Sequence, residues 1–293
     1  MSRTGIPGSA AAAEHPRSAL RQRVLTAAVL LPVLLAGMFL LSGLGWQLLL
    51  CLPVLLGALE WSRLAGYRAV ARNLFTAMLL ASCLAFVVLL QTVPQLAIVS
   101  ALSLLMLVAA LLFWAVAAPL WLFRGWRPGS RWLMGAVGWV VLVPAWLGAV
   151  CLQRQPWLLL AVMCAIWIAD TAAYFAGRRF GRRRLAPQIS PGKTWEGVIG
   201  AFAAVLLYVT ALSFLLQPST GAYERIVLLI FAAALTVLGI VGDLFESWVK
   251  RSAGVKDSGS LLPGHGGVLD RIDSLTATLP FAALYLLPVL GTS

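Results

Sequence analysis

Nine apolar runs separated by short polar segments make up most of this chain and restrict what it can fold into. They are Val24–Leu41, Trp46–Leu59, Leu74–Leu90, Leu96–Trp114, Leu133–Leu152, Trp157–Phe175, Val198–Leu216, Ile226–Leu244 and Leu275–Leu290. A helix needs about 20 apolar residues to cross the roughly 30 Å of hydrocarbon in a bilayer. Several runs fall short of that, and the stretch from Leu96 to Phe123 is longer than one crossing requires, so tilts and kinks are expected. Composition agrees: 61% of residues are hydrophobic and 11% are charged, against about 25% charged in a soluble domain, and the mean hydropathy is +0.93. The expected fold class is an all-α polytopic membrane protein with about nine transmembrane helices.

Basic residues orient such a chain, because loops rich in Lys and Arg stay on the cytoplasmic side. Alternating the loops across nine spans puts Arg154 and Arg225 on one side and all the others of the 22 Lys and Arg residues on the opposite side. That places the N-terminus in the cytoplasm and the C-terminus outside. The expected organisation is a cytoplasmic disordered tail over residues 1–23, N-terminal transmembrane helices over 24–152, and a C-terminal catalytic membrane domain over 153–293. Two cytoplasmic loops, 176–197 and 245–274, belong to the last part.

Other global features say less. The net charge of +12 follows from the loop asymmetry and suits anionic lipid headgroups, so membrane lipid is an expected partner and nucleic acid is not. Cys51, Cys83, Cys151 and Cys164 lie in apolar runs without metal-ligand spacing and read as small core hydrophobes. The first span lacks a cleavage site and reads as a retained helix.

Carboxylates are concentrated in the C-terminal half: eight of the ten acidic residues lie between Asp170 and Asp273. Asp170 stands 14 residues into the span that opens at Trp157, about 20 Å along it, toward the cytoplasmic end. A carboxylate at that depth costs a few kcal/mol unless it is paired or hydrated. Arg178 and Arg179 are within reach as simple ion-pair partners. Asp243 lies near the cytoplasmic end of another span, with Glu246 three positions later on the same helix face. Asp270, Arg271 and Asp273 open the ninth span. Converging carboxylates of this kind suit Mg²⁺, which takes one or two protein carboxylates and completes its shell with water and phosphate. An ion-pair network among Asp243, Asp270, Lys250 and Arg271 is the other reading, and these residues alone leave both open.

The segment between the last two spans adds glycines at 254, 259, 264, 266 and 267. Such a run permits close backbone approach and exposes amides that bind anions. Lys250, Arg251, Lys256 and Arg271 bring positive charge to it, and His265 sits inside PGHGG, where its ring can donate to a phosphate.

Taken together, Ser247, Lys250, Arg251, Lys256, Asp257, Gly259, Pro263, His265, Gly266, Gly267, Asp270, Arg271 and Asp273 closely resemble the signature of the phosphatidate cytidylyltransferases, the CDP-diacylglycerol synthases. The resemblance extends to Asp170, Ala173, Tyr174, Gly177, Arg178 and Gly181, and to SPGKTWEG from Ser190 to Gly197. It covers about residues 167–275. The N-terminal half matches only in being several hydrophobic helices.

What the resemblance implies is a reaction of CTP with phosphatidate that gives CDP-diacylglycerol and diphosphate, with Mg²⁺ as cofactor and a second cation such as K⁺ left open. It implies a metal site at Asp243 and Asp270, and a catalytic set of Asp243, Asp270, Lys256, His265 and Arg271. Substrate contacts would come from Asp170, Arg178, Ser190, Lys193, Thr194, Ser247, Lys250, Arg251, Asp257, Gly266, Gly267 and Asp273. Ser190, Pro191 and Glu196 equally read as an ordinary helix start. The implied location is the inner bacterial membrane with the site facing the cytoplasm; a homodimer is compatible with the sequence.

Three other classes are weaker. A transporter would put its charges near the midplane in repeated halves, whereas these cluster at one edge in one half. A noncatalytic scaffold has no need of a phosphate-binding loop beside converging carboxylates. A CDP-alcohol phosphotransferase would carry a paired-aspartate motif that is absent. The nearest rivals are CTP-dependent enzymes acting on other lipids, such as a CDP-archaeol synthase or a polyprenol kinase.

Overall fold

The computed structural model describes residues 16–127, 129–216, 218–219 and 221–290. Within them the nine apolar runs become nine helical rods: α1 (Pro16–Leu40), α2 (Gly43–Leu64), α3 (Ala69–Thr92), α4 (Ala97–Arg124), α5 (Arg131–Leu152), α6 (Pro156–Phe180), α7 (Trp195–Leu216), α8 (Ala222–Ser252) and α9 (Leu269–Leu290). Helices are the expected answer, since lipid offers no partner for an unpaired backbone amide. Among the described residues, α2 to α8 are each long and apolar enough to cross a membrane, and α1 contributes a shorter apolar stretch, Val24–Leu40. Residues 16–23, expected to be disordered, form the first turns of α1, which Pro16 can open because the first helical N–H groups need no partner. Residues 1–15 of that expected tail lie outside the described residues.

The long stretch from Leu96 to Phe123 is a single rod broken by a π turn at Phe113–Ala117, where the Ala118 N–H bonds to the Phe113 carbonyl. Pro119 follows at once, and its missing N–H and ring deny α4 a regular bond to Ala115. The turn has a packing consequence. Phe113, Trp114 and Trp121 meet Phe245 of α8 edge-on, with ring centroids 5.3, 5.6 and 5.5 Å away, which anchors α8 one residue before Glu246.

Helix α5 is mostly buried, and α9 packs against α2, α4, α5, α6 and α8. Indole N–H groups stitch α2 to α5: Trp46 donates to Ala149 O at 3.2 Å, Trp61 to Met134 O at 2.8 Å, and Trp146 to Gln47 O at 3.1 Å. All three rings are buried, so each N–H needs such a partner. The N-terminal helices are thereby a rigid back wall, against which α9 and the end of α8 are placed.

Both expected loops are shorter than their sequences suggest. Helix α8 runs on to Ser252, so Ser247, Lys250 and Arg251 are helical, and its 31 residues reach about 46 Å, well beyond the hydrocarbon. Between α6 and α7 the chain forms an antiparallel hairpin, β1 (Arg184–Ala186) and β2 (Ser190–Thr194), pairing Arg184 with Thr194 and Ala186 with Ser190. The fold is therefore all-helical except for this hairpin among the described residues. The start of α7 is not the Ser-Pro at 190 and 191: Thr194 Oγ1 caps it by accepting from Gly197 N at 3.1 Å.

Candidate active site

The hairpin and the ends of α6, α8 and α9 converge on one cluster of charge. Lys193, from β2, pairs with Asp243 of α8, its Nζ 2.5 Å from Oδ2. One turn along α8, Ser247 Oγ donates to Asp243 Oδ1 at 3.4 Å. Lys250, another turn on and 8% exposed, pairs with Glu246 at 3.2 Å and with Asp270 of α9 at 2.5 Å. Asp270 Oδ2 also accepts from Ser258 N at 3.0 Å and Gly267 N at 2.8 Å, with Ser258 Oγ 3.1 Å away. Asp273 lies a turn deeper on α9, within electrostatic reach of Asp243, Glu246 and Asp170.

These contacts resolve the two readings of the carboxylates without choosing one. Asp243 and Asp270 are in ion pairs, as a structural network would have them, yet with different lysines, and Arg271 is in neither pair. Five carboxylates, Asp170, Asp243, Glu246, Asp270 and Asp273, face three cations, Lys193, Lys250 and, within electrostatic reach of Asp170, Arg271. Such an excess of negative charge in a partly dehydrated place favours a cation. The donors are all hard oxygens; buried Glu246 meets Lys250 through Oε1, and its Oε2 lacks a hydrogen-bond donor among the described residues. Among those residues no three Asp, Glu, His or Cys side chains form a ready ligand set. Mg²⁺ needs only one or two protein carboxylates when phosphate and water fill the remaining positions, so the residues fit it.

Two cavities adjoin the cluster. The first, about 520 Å³, is lined by Asp170, Tyr174, Arg178, Lys193, Thr194 and Asp243 together with small and apolar residues of α6, the hairpin, α7 and α8. Arg178 is exposed there, its Nη1 2.9 Å from the Tyr174 hydroxyl. The second, about 390 Å³, is lined by Lys256, Asp257, Gly264, His265, Gly266 and Arg271. A tight turn presents His265 to it: His265 N donates to Leu262 O and Leu262 N to Gly266 O, both at 2.9 Å. That turn needs positive φ at Gly264 (74°) and Gly266 (81°), which glycine adopts without strain.

The expected site residues thus separate into groups. Asp170, Arg178, Lys193, Thr194 and Asp243 share the first cavity, and Lys256, Asp257, His265, Gly266 and Arg271 the second. Lys250, Asp270 and Gly267 form the wall behind. Ser190 and Arg251 line neither cavity. Ser190 is a strand residue opposite Ala186, and Arg251 donates to Ile189 O at 3.3 Å and Val255 O at 3.2 Å, tying the hairpin to the end of α8. Two residues escaped the sequence reading: Glu60 of α2 and Ser258, joined by a 2.8 Å hydrogen bond. The available signal was that Glu60 and Glu14 are the only acidic residues before Asp170.

A carboxylate cluster between two cavities that carry lysine, arginine and histidine is chemistry for polyanions, and known proteins share this chain. Residues 21–288 match the cytidylyltransferase family. A phosphatidate cytidylyltransferase of Pseudomonas aeruginosa is 46% identical over 275 residues, covering 90% of this chain and 96% of that protein. One of Haemophilus influenzae is 35% identical over 284 residues, 91% of this chain and 98% of that protein. One of Thermotoga maritima is 45% identical over 123 residues, 41% of this chain and 46% of that protein. With the family match running through all nine helices and identity sustained along nine-tenths of its length, this chain belongs to the cytidylyltransferase family.

Proposed function

We propose that the protein transfers the cytidylyl group of CTP to phosphatidate, giving CDP-diacylglycerol and diphosphate. The observation that carries this is the carboxylate cluster of Asp243, Glu246, Asp270 and Asp273 set between two cavities that carry lysine, arginine and histidine at the end of a membrane bundle. The names borne by the relatives supply the substrates. In the reaction a phosphate oxygen of the lipid attacks the α-phosphorus of CTP, forming one P–O bond while the bond to the β-phosphate bridging oxygen breaks and diphosphate leaves. Two polyanions must meet, so positioning and charge neutralisation are the catalytic requirement, and no protein nucleophile is needed.

Asp243 and Asp270 would hold Mg²⁺, which when bound neutralises triphosphate charge and polarises the reacting phosphorus. Lys193, paired with Asp243 on the wall of the first cavity, would turn its cationic head toward phosphate oxygens, while buried Lys250 would hold Asp270 in place. Lys256, His265 and Arg271 would hold charge on the triphosphate from the second cavity. Arg178 and Lys193 would do so from the first, where Asp170 keeps the field balanced. We place this face in the cytoplasm of a bacterial inner membrane, on the strength of the loop charges.

The test is incubation of the purified protein in detergent with Mg²⁺, a panel of lipid phosphates, and CTP labelled at either the α- or the γ-phosphate. Label from the α position should appear in lipid only with phosphatidate, and label from the γ position only in diphosphate. Lipid labelled from the γ position would identify a kinase instead, and preference for another lipid phosphate would move the substrate assignment.

A further inference from the structure

Glu60 sits near the end of α2 with none of its surface exposed. A buried carboxylate is costly unless its charge is met, yet no ion pair reaches it among the described residues. Three hydrogen bonds do: Ser258 Oγ at 2.8 Å, Val268 N at 3.0 Å and Leu269 N at 2.9 Å. The two amides belong to the opening of α9, where N–H groups have no helical partner and the helix dipole favours negative charge. Glu60 therefore fixes the start of the helix that carries Asp270 and Asp273.

The third bond links Glu60 to Asp270 itself. Ser258 Oγ is 2.8 Å from Glu60 Oε2 and 3.1 Å from Asp270 Oδ2, and a hydroxyl has a single proton to donate. The shorter contact is to Glu60, which leaves the Ser258 and Gly267 amides to orient Asp270 Oδ2. The loop is moulded to this carboxylate. A Cβ on Gly259 would lie 2.5 Å from Glu60 Oε1, and one on Gly267 would lie 2.5 Å from Oε2, so only glycine fits at either position.

We propose that Glu60 is a positioning residue: from the N-terminal helices it clamps the Gly-rich segment and the first turn of α9, holding the Asp270 carboxylate in one orientation toward the reaction site. Its catalytic consequence rests on the cytidylyl transfer proposed above, whereas the clamp rests on the hydrogen bonds alone.

Glu60→Gln preserves shape, but its NH₂ cannot accept from an amide, so one of the three bonds is lost. The readout of the clamp is a single cysteine in place of buried Val268, whose backbone N–H Glu60 holds, in the full-length protein with Cys51, Cys83, Cys151 and Cys164 replaced. Alkylation of that cysteine should become about tenfold faster in Glu60→Gln, as expected for losing a hydrogen bond to a charged group. In the same protein kcat should fall about tenfold or more, with the KM for CTP changed far less, because orientation and not ground-state binding is lost. Ser258→Ala, which removes only the hydroxyl, should act in the same direction. The double variant should be no worse than the poorer single one, since both open one clamp. If Glu60→Gln does not fold, Ser258→Ala decides the matter by itself. Unchanged alkylation and unchanged kcat would overturn the proposal, even with a lowered melting temperature. A wild type inactive on CTP and phosphatidate would refute the proposed reaction, while the alkylation rates would still report on the clamp.

Discussion

Lys193 and Asp243 stand 50 positions apart in the chain, yet Lys193 Nζ lies 2.5 Å from Asp243 Oδ2. The hairpin between α6 and α7 makes this pairing, and through it the exit of α6, the hairpin and α8 share one cavity. A second lysine, Lys250, repeats the arrangement with Asp270 at the same distance, but in a far less exposed setting. The difference in burial makes the two carboxylates separable by experiment.

Asp243→Asn and Asp270→Asn should each reduce turnover on the order of 100-fold or more, as expected when a charge that organises the transition state is removed. Their stabilities should differ. Asp243 and Lys193 have side chains 30% and 23% exposed, and a solvent-reachable pair contributes at most about 1 kcal/mol. Losing Asp270 leaves Lys250 without its closest partner in a buried place, which costs about 3 kcal/mol. Melting curves in detergent, run beside activity over a range of Mg²⁺ concentrations, check both parts. Near-normal activity of either variant at low Mg²⁺ would remove that residue from the metal site.

Lys256→Ala and His265→Ala address the second cavity. Lys256 is exposed, and His265 stands in a turn held by backbone bonds to Leu262 and Gly266 that do not use its ring. Both variants should therefore melt close to wild type while kcat/KM for CTP falls about tenfold, the loss of a charge-assisted hydrogen bond to phosphate. Steady-state kinetics with CTP varied at saturating phosphatidate make the comparison. An equal loss of melting temperature would assign both residues to loop structure.

How much of this was legible beforehand depended on range. The nine apolar runs correspond to nine helices, of which seven among the described residues are long and apolar enough to cross a membrane, because crossing demands both length and apolarity in one continuous stretch. Asp243, Lys250, Asp270 and His265 were legible because charge and glycine crowd into a short segment. The hairpin was not: Arg184–Ala186 and Ser190–Thr194 show no apolar alternation, and its strands are held by each other and by the ends of α6 and α7. Glu60 was hidden for another reason. Arg63, three positions on, offered it an ordinary helical partner, and nothing local announces Ser258, 198 positions away.

Substitution at glycine tests the close packing around that buried carboxylate. In Gly267→Ala the new methyl would collide with Ser258 Oγ and with Glu60 Oε2, neither of which can retreat without breaking its own hydrogen bonds. Overpacking of this kind costs about 1–3 kcal/mol, and activity should fall with it because Gly267 N also holds Asp270. Gly192→Ala in the hairpin, where nothing lies within 4 Å, should leave the melting temperature unchanged. Equal behaviour of the two variants in a thermal melt would refute the tight packing.

The orientation of the bundle yields the last prediction. With all but Arg154 and Arg225 among the 22 basic residues assigned to one side, we place that side in the cytoplasm by the positive-inside rule, from where CTP would reach the site. Glu224, in the first turn of α8, and Ser260, beyond its far end, then lie on opposite faces, because α8 is long enough to span the bilayer between them. Single cysteines at 224 and 260, in a background without the four native cysteines, can be probed with a membrane-impermeant maleimide. In intact cells the reagent should modify position 224 and spare 260, which should react only after permeabilisation. The opposite pattern would put the carboxylate cluster and both cavities outside the cytoplasm, away from any CTP, and would exclude the proposed reaction in the cell.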